Sequence, residues 1–387
     1  MRTTTSRTIA LAALPFATLA GCYGCYGSRD IHYPTGHVPD AVTNFRELNT
    51  PHDDFNAAAP PTLTAHDWLA LSTNRAAPAE GNRLQLFQID FSFGMTDGHF
   101  FASAYDRGKL PLAHEGAEFG PLFVWPDRPP HRATRLPAGV APREGGRGSR
   151  ALVFAGRGPG GDLDLFVTQP FDPGDSGRTG DIPVLPLGRV NRAGSDQAYP
   201  SFGPDGRLYL ASSHEGAFDI YAVVGGPADG AGARGDAWLM WLAEPGAPPA
   251  ELEKVAALSS PGDDTAPSIL DGTLVFASNR AGSTGGYDLY VSTFAPGGGW
   301  SAPAPIAVAN SGGNEFRPTL MALGAADLGD TMGLDPSHAQ PSYDNQLLLF
   351  SSDRPGGLGG YDMYYVGYAA PGIPAAAPAP APQPPPR

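Results

Sequence analysis

The strongest signal along this chain is a recurring order of apolar and polar positions. In TLVFASNRAGSTGGYDLYVS (273–292) and LLLFSSDRPGGLGGYDMYYV (347–366), an apolar run leads into Ser-Asx-Arg, then glycines, then Asp-apolar-Tyr. RLYLASSHEGAFDIYAV (207–223) and ALVFAGRGPGGDLDLFV (151–167) are weaker copies, and WLALSTNR with LQLFQI (68–89) is a degenerate fifth. Ahead of each copy stands a second signature, an acidic or amide pair followed three residues after its second member by Pro and then an apolar residue. It occurs as DQAYPSF (196–202), DDTAPSI (263–269) and NEFRPTL (314–320), with AEFGPL (117–122) and the looser DDFNAAAPPTL (53–63) completing five. A repeated unit of this kind changes what each residue in it means.

Each unit reads as three short strands, one after the Pro, one ending at Ser-Asx-Arg and one at Asp-apolar-aromatic. A fourth is predicted from RGKLPLAH (107–114), IPVLPLGRV (182–190), ELEKVAAL (251–258) and PAPIAVAN (303–310). Four antiparallel strands per repeat make one propeller blade, and repetition around a ring leaves only short, protected edges. The last copy stops at YYVGY without a fourth strand, whereas AVTNFRELN (41–49) resembles one and precedes the first acidic signature. The expectation is an all-β, five-bladed β-propeller closed by the N-terminal strand, which covers the edge that the final blade would otherwise expose. A six-bladed ring is the alternative.

Composition agrees with short strands and turns: 51 of 387 residues are Gly and 42 are Pro, and 41% apolar content is enough for a core. Asp271-Gly272 fits a two-residue hairpin turn, and the glycine pairs before Tyr287 and Tyr361 are expected to turn the chain in the same way. A net charge of −14 repels a phosphate backbone, so nucleic acid is not an expected partner.

Both cysteines, Cys22 and Cys25, lie near the start. Arg2 and Arg7 precede TIALAALPFATLA (8–20), an apolar stretch too short to span a bilayer. LAGC (19–22) is similar to a bacterial lipobox, which implies acylation of Cys22 and stable membrane anchoring. By the same analogy, Tyr23 in place of a retaining Asp implies the outer membrane, facing the periplasm. The domain reading is a signal peptide (1–21), a tether (22–40), the propeller (41–368) and a Pro/Ala-rich disordered tail (369–387).

YPSFGPDGRLYLASSHEGAFDIYAV (199–223) and SSDRPGGLGGYDMYYV (351–366) resemble the TolB-type, WD-repeat-like propellers of bacterial envelopes across residues 41–368. The resemblance implies a non-catalytic, monomeric lipoprotein whose propeller is an interaction scaffold for an envelope protein, with no cofactor and no metal. A carbohydrate-binding or glycoside-hydrolysing propeller is the alternative.

Within the repeat, Asp164, Asp219, Asp288 and Asp362 are expected to accept hydrogen bonds from backbone amides or from Arg280 and Arg354 of the same hairpins. Tyr290 and Tyr364 complete the unit. Glycosidase candidates are Asp53, Asp54, Glu118, Asp196, Asp263, Asp264 and Glu315, yet these acids recur at equivalent places, where a catalytic pair would break the repeat. GGLGGYD (356–362) has Tyr361 where a glycine-rich calcium repeat needs Asp. Asp175-Ser176-Gly177 and Thr64-Ala65-His66 are only fragments of a serine-protease constellation. The tryptophans Trp68, Trp125, Trp238, Trp241 and Trp300 are expected between blades or at a ligand site, and AWLMWLAEPG (237–246) is expected to extend a strand or cap a ring face. The insertions at 126–147, 225–237 and 321–340 are candidate recognition loops.

Overall fold

Five antiparallel sheets follow one another along the chain. The structure, a computed structural model, describes residues 36–59, 62–63, 66–75, 83–96, 99–114, 116–124, 151–172, 180–226, 236–323 and 343–371. Cys22, the segment 175–177, the insertion 126–147, most of the other two insertions and the tail from 372 lie outside the described residues.

The first four blades are each one sheet of four strands. Blade 1 comprises Asp54–Ala58, His66–Thr73, Gln85–Thr96 and His99–Lys109. Blade 2 comprises Glu118–Val124, Ala151–Arg157, Leu163–Thr168 and Val184–Pro186. Blade 3 comprises Gln197–Phe202, Leu208–Ser212, Asp219–Val224 and Glu251–Lys254, and blade 4 comprises Asp264–Leu270, Thr273–Ser278, Asp288–Thr293 and Ala304–Pro305. In blade 5, Glu315–Leu323, Gln346–Ser352 and Asp362–Tyr368 are joined by the N-terminal strand Thr43–Asn44, with Thr43 opposite Tyr365 and Asn44 opposite Tyr364. The innermost strands touch in ring order, and the first also touches the last. The ring is therefore five-bladed and closed by the N-terminal strand.

One apolar core lies between each pair of adjacent blades. This explains why second strands read as continuous apolar runs: both faces are covered, so Leu152 and Phe154 enter the core with blade 1 while Ala151, Val153 and Ala155 enter the core with blade 3. Outermost strands have one neighbour fewer and stay polar, as in Glu251–Lys254. Trp68 and Trp300 fill inter-blade cores.

Three local expectations are corrected. The fourth strand of blade 1 is His99–Lys109, because its hairpin runs long before RGKLPLAH begins. Asp236–Leu242 is a short helix whose Trp238, Leu239 and Leu242 pack into the core between blades 2 and 3, so the insertion extends no strand. Asp271-Gly272 is the expected two-residue turn, with Leu270 opposite Thr273, but its left-handed residue is Asp271 (φ 53°). None of Gly285, Gly286, Gly359 and Gly360, the pairs directly before Tyr287 and Tyr361, has positive φ.

Those glycine pairs answer to close approach instead. A Cβ on Gly285 would lie 1.8 Å from the Gly313 carbonyl oxygen, and one on Gly359 would lie 2.1 Å from that of His52. The tight contact lets the end of one blade latch onto the acid signature of the next. Tyr361 N–H donates to Asp53 and Asp54 N–H donates to the Tyr361 carbonyl, which joins blade 5 to blade 1. Tyr287 with Asn314 and Glu315, and Phe218 with Asp263 and Asp264, repeat the latch between the later blades.

Candidate functional site

The repeated acids are consumed by the scaffold. Asp54, Asp264 and Glu315 are fully buried, and each meets an arginine of its own blade: Arg75 at 2.6 Å, Arg280 at 2.5 Å and Arg354 at 3.0 Å. They also accept bonds from the loop before them, as from Thr50 and Ser260 N–H and the Ser311 hydroxyl. Arg280 lies over the Phe276 and Tyr290 rings, and Arg354 over those of Phe350 and Tyr364. The expected link of these arginines to Asp288 and Asp362 is thus corrected, since geometry gives them to the strand-start acids. Asp288 accepts from Thr284 and Gly285 N–H, Asp362 accepts from Leu358 N–H, and Asp219 pairs with Lys254 at 2.5 Å. Burial, then Asp162 and Asp196, pushes the Asp164 carboxyl up. Glu118 receives Leu86 N–H, and Gln197 takes the acid's place in blade 3.

Function is sought where the repeat breaks, and it breaks at the axis. The third residue of every innermost strand is left-handed: Asn56 (φ 45°), Gly120 (52°), Tyr199 (54°), Ala266 (53°) and Arg317 (51°). Each sits in a bulge of its inner-strand ladder. For non-glycine residues this conformation costs roughly 1–2 kcal/mol apiece, sustained here by the ring around it.

Arg317 is the cation in this layer. Its guanidinium lies 4.8 Å from the Phe55 ring centre, 5.1 Å from Phe119, 4.7 Å from Tyr199 and 5.4 Å from Phe316. Four rings from four blades can surround one group only at the axis. Nη2 donates to the Tyr199 hydroxyl at 2.5 Å, while Nε and Nη1 are buried without a hydrogen-bond partner. No carboxylate pairs with Arg317 among the described residues. Burial pulls its pKa below the usual arginine value, with Tyr199 and Tyr361 opposing, and burial raises the Tyr199 phenol.

The rim carries half-buried aromatic faces. Tyr361 packs on Phe55 with centroids 4.5 Å apart, and Tyr287 meets Phe316 at 4.7 Å. Tyr287 donates its hydroxyl to Asp263 at 2.6 Å, and burial first, then that bond, raises its pKa. Asp53 and Asp263 are partly exposed, and Asp353 is exposed. Past the left-handed layer, the axis holds a cavity of about 60 Å³ lined by Asn56, Gly120, Tyr199, Ala266 and Pro318. That is room for a few waters and too little for a sugar ring. Among the described residues, no group of three His, Cys, Asp or Glu is placed to hold a metal ion.

Sequence reading missed Arg317 because it looked for an acid that broke the repeat. The signal was present: the slot before Pro reads Gly, Tyr, Ala and Arg in blades 2 to 5, and a single member is charged.

No protein-family model matches the chain, and no curated protein matches it. Among solved structures it is similar to a thermostable family-43 glycoside hydrolase, at 12% identity over 89% of this chain and 99% of that one, with a TM-score of 0.47. It is similar to an endo-arabinase from Bacteroides thetaiotaomicron, at 14% identity over 86% and 97% of the two chains, with a TM-score of 0.43. An α-L-arabinofuranosidase from Lactobacillus brevis matches at 12% identity over 84% and 92%, also with a TM-score of 0.43. These neighbours are glycoside hydrolases and not TolB-type proteins. The expectation of a TolB-type, non-catalytic interaction scaffold that is no enzyme is corrected to this extent: the structural neighbours are glycoside hydrolases, and what they share with this chain is the fold.

Proposed function

We propose that this propeller acts on carbohydrate at the axial rim. The observation that carries the reading is the set of half-buried rings of Phe55, Tyr361, Phe316 and Tyr287 around a buried guanidinium. Sugars present flat C–H faces and hydroxyls together, and aromatic surfaces with a few convergent polar groups suit that mixture. The narrow cavity beneath confines a ring-sized ligand to the rim.

Glycoside cleavage uses two carboxyl groups, one giving a proton to the leaving oxygen and one acting as nucleophile or activating water. Asp54, Asp264 and Glu315 are sealed by arginines and amides. The acids that keep solvent exposure there are Asp53, Asp263 and Asp353, each of which also accepts hydrogen bonds from the scaffold, as from Tyr361, Phe218 and Asn314 N–H. A panel of glycans and chromogenic glycosides tests the reading. Tyr361→Ala and Phe55→Ala should each weaken retention of the bound glycan about two- to tenfold, from the ~0.5–1.5 kcal/mol of one aromatic contact. Turnover should vanish in Asp53→Asn or Asp263→Asn. Neither binding nor turnover across the panel would reject the reading.

The proposal includes attachment to the cell envelope through acylated Cys22, supported by the LAGC pattern after an apolar leader. Cys22→Ser should move the protein from the membrane to the soluble fraction and remove the acyl mass. Unchanged fractionation would exclude the anchor.

A further inference from the structure

Three partly buried arginines of the blade walls share one arrangement. Arg75, Arg280 and Arg354 each have a carboxylate within 3.0 Å. Arg317 is 6% exposed, more deeply buried than any of them, and has none. Its flat faces are covered by rings, and its in-plane donors at Nε and Nη1, three N–H bonds in all, have no acceptor. Leaving a buried ion uncompensated is costly. Arg192, partly buried and likewise held by no carboxylate among the described residues, places its donors on the carbonyls of Arg189, Asn191 and Ala250, whereas Nε and Nη1 of Arg317 have no such acceptors.

We infer that Arg317 is the seat for a carboxylate carried by the ligand, so that the carbohydrate taken at the rim is an acidic, uronate-type sugar. This rests on the carbohydrate reading above and sharpens it. A neutral hydroxyl could accept one of the free N–H bonds but would leave the charge uncompensated, whereas a carboxylate supplies both acceptors and charge. Tyr199 assists, because its oxygen receives Nη2 and its own O–H is available to the same anion. The ligand reaches the guanidinium by rotation of the half-buried Phe55 or Phe316 ring, a rotamer change of the kind that commonly accompanies binding.

The test is calorimetric titration of the whole protein with matched oligosaccharides that differ only in carboxylate against hydroxymethyl, such as trigalacturonate against galactotriose and a glucuronate-terminated disaccharide against its glucose counterpart. The acidic member of a pair should bind at least about tenfold tighter, the factor expected of charge-assisted hydrogen bonds. Arg317→Met should abolish the preference, bringing the acidic member to within about twofold of the neutral one. Tyr199→Phe should narrow the acidic-over-neutral preference, and it serves if Arg317→Met does not fold. Equal binding of acidic and neutral members, or indifference to both substitutions, overturns the carboxylate seat while leaving the carbohydrate reading in place. Binding of neither member of any pair, with none elsewhere in the glycan panel, removes both.

Discussion

A chain lacking residues 36–49 is expected to lose cooperative folding. That segment contributes the closing strand and buries Val38, Phe45 and Leu48 in the core between blades 5 and 1. At roughly 1.5–3 kcal/mol for each buried side chain, the three together approach the ~5–15 kcal/mol that holds a whole domain. Asn49 fastens the end of the segment, accepting Met363 N–H at 2.7 Å and donating to the Met363 carbonyl at 3.0 Å. Its loss also bares the edge at Asp362–Tyr368, an invitation to intermolecular pairing. Urea unfolding followed by circular dichroism reads the outcome: no sigmoidal transition is predicted, and a transition at the wild-type midpoint would mean that the ring does not need its clasp.

Asp264→Ala should cost about 3–5 kcal/mol, because it strands Arg280 in a buried site and removes the acceptor for Ser260 N–H. In blade 3 Gln197 stands in the acid's place, accepting Arg192 N–H and donating to Ser195 and Ser212, while His214, at the arginine's place in the sequence, is exposed. Asp264→Gln keeps an acceptor for Ser260 N–H and should lose less, and Asp264→Ala combined with Arg280→Met should cost less than the two single changes added together. The corresponding double-mutant cycle measures the coupling directly. If Asp264→Ala alone left the unfolding free energy within about 0.5 kcal/mol of wild type, the ordinary range of surface substitutions, the pair would have no structural value.

The first of these expectations follows from what was legible in the sequence, and the second from what was not. Blade number, blade order and closure could be read because the unit is repeated, and repetition turns weak local signals such as Asp-apolar-Tyr into a pattern. The partners of Arg280 and Arg354 could not be read, since the acid nearest in sequence, Asp288 or Asp362, competes with one that the fold brings alongside, Asp264 or Glu315. The glycines before Tyr287 and Tyr361 signal either a left-handed turn or a close neighbour, and only the approach of Gly313 and His52 decides between them. AWLMWLAEPG carries apolar residues for either a strand or a helix, and it is the groove between blades 2 and 3 that takes it as a helix.

The axial site was hidden for a related reason. Residues 55, 119, 199 and 317 are far apart in the chain and converge only when the ring closes. The acids that attracted notice hold the blades, while the residue that departs from the repeat is a cation. Among the described residues, Asp54, Asp264 and Glu315 are paired in the blade walls while Arg317 at the centre has no acceptor for Nε and Nη1, and it is there that the carbohydrate site is proposed.

The most direct test is a crystal structure of the full protein with the tightest-binding oligosaccharide from the panel. The account predicts a sugar ring against Phe55 or Tyr361 at the axial rim, with its carboxylate hydrogen-bonded to the Arg317 guanidinium. A sugar held at the outer edge of a blade, or in contact with the carboxylates of Asp54, Asp264 or Glu315, would contradict it.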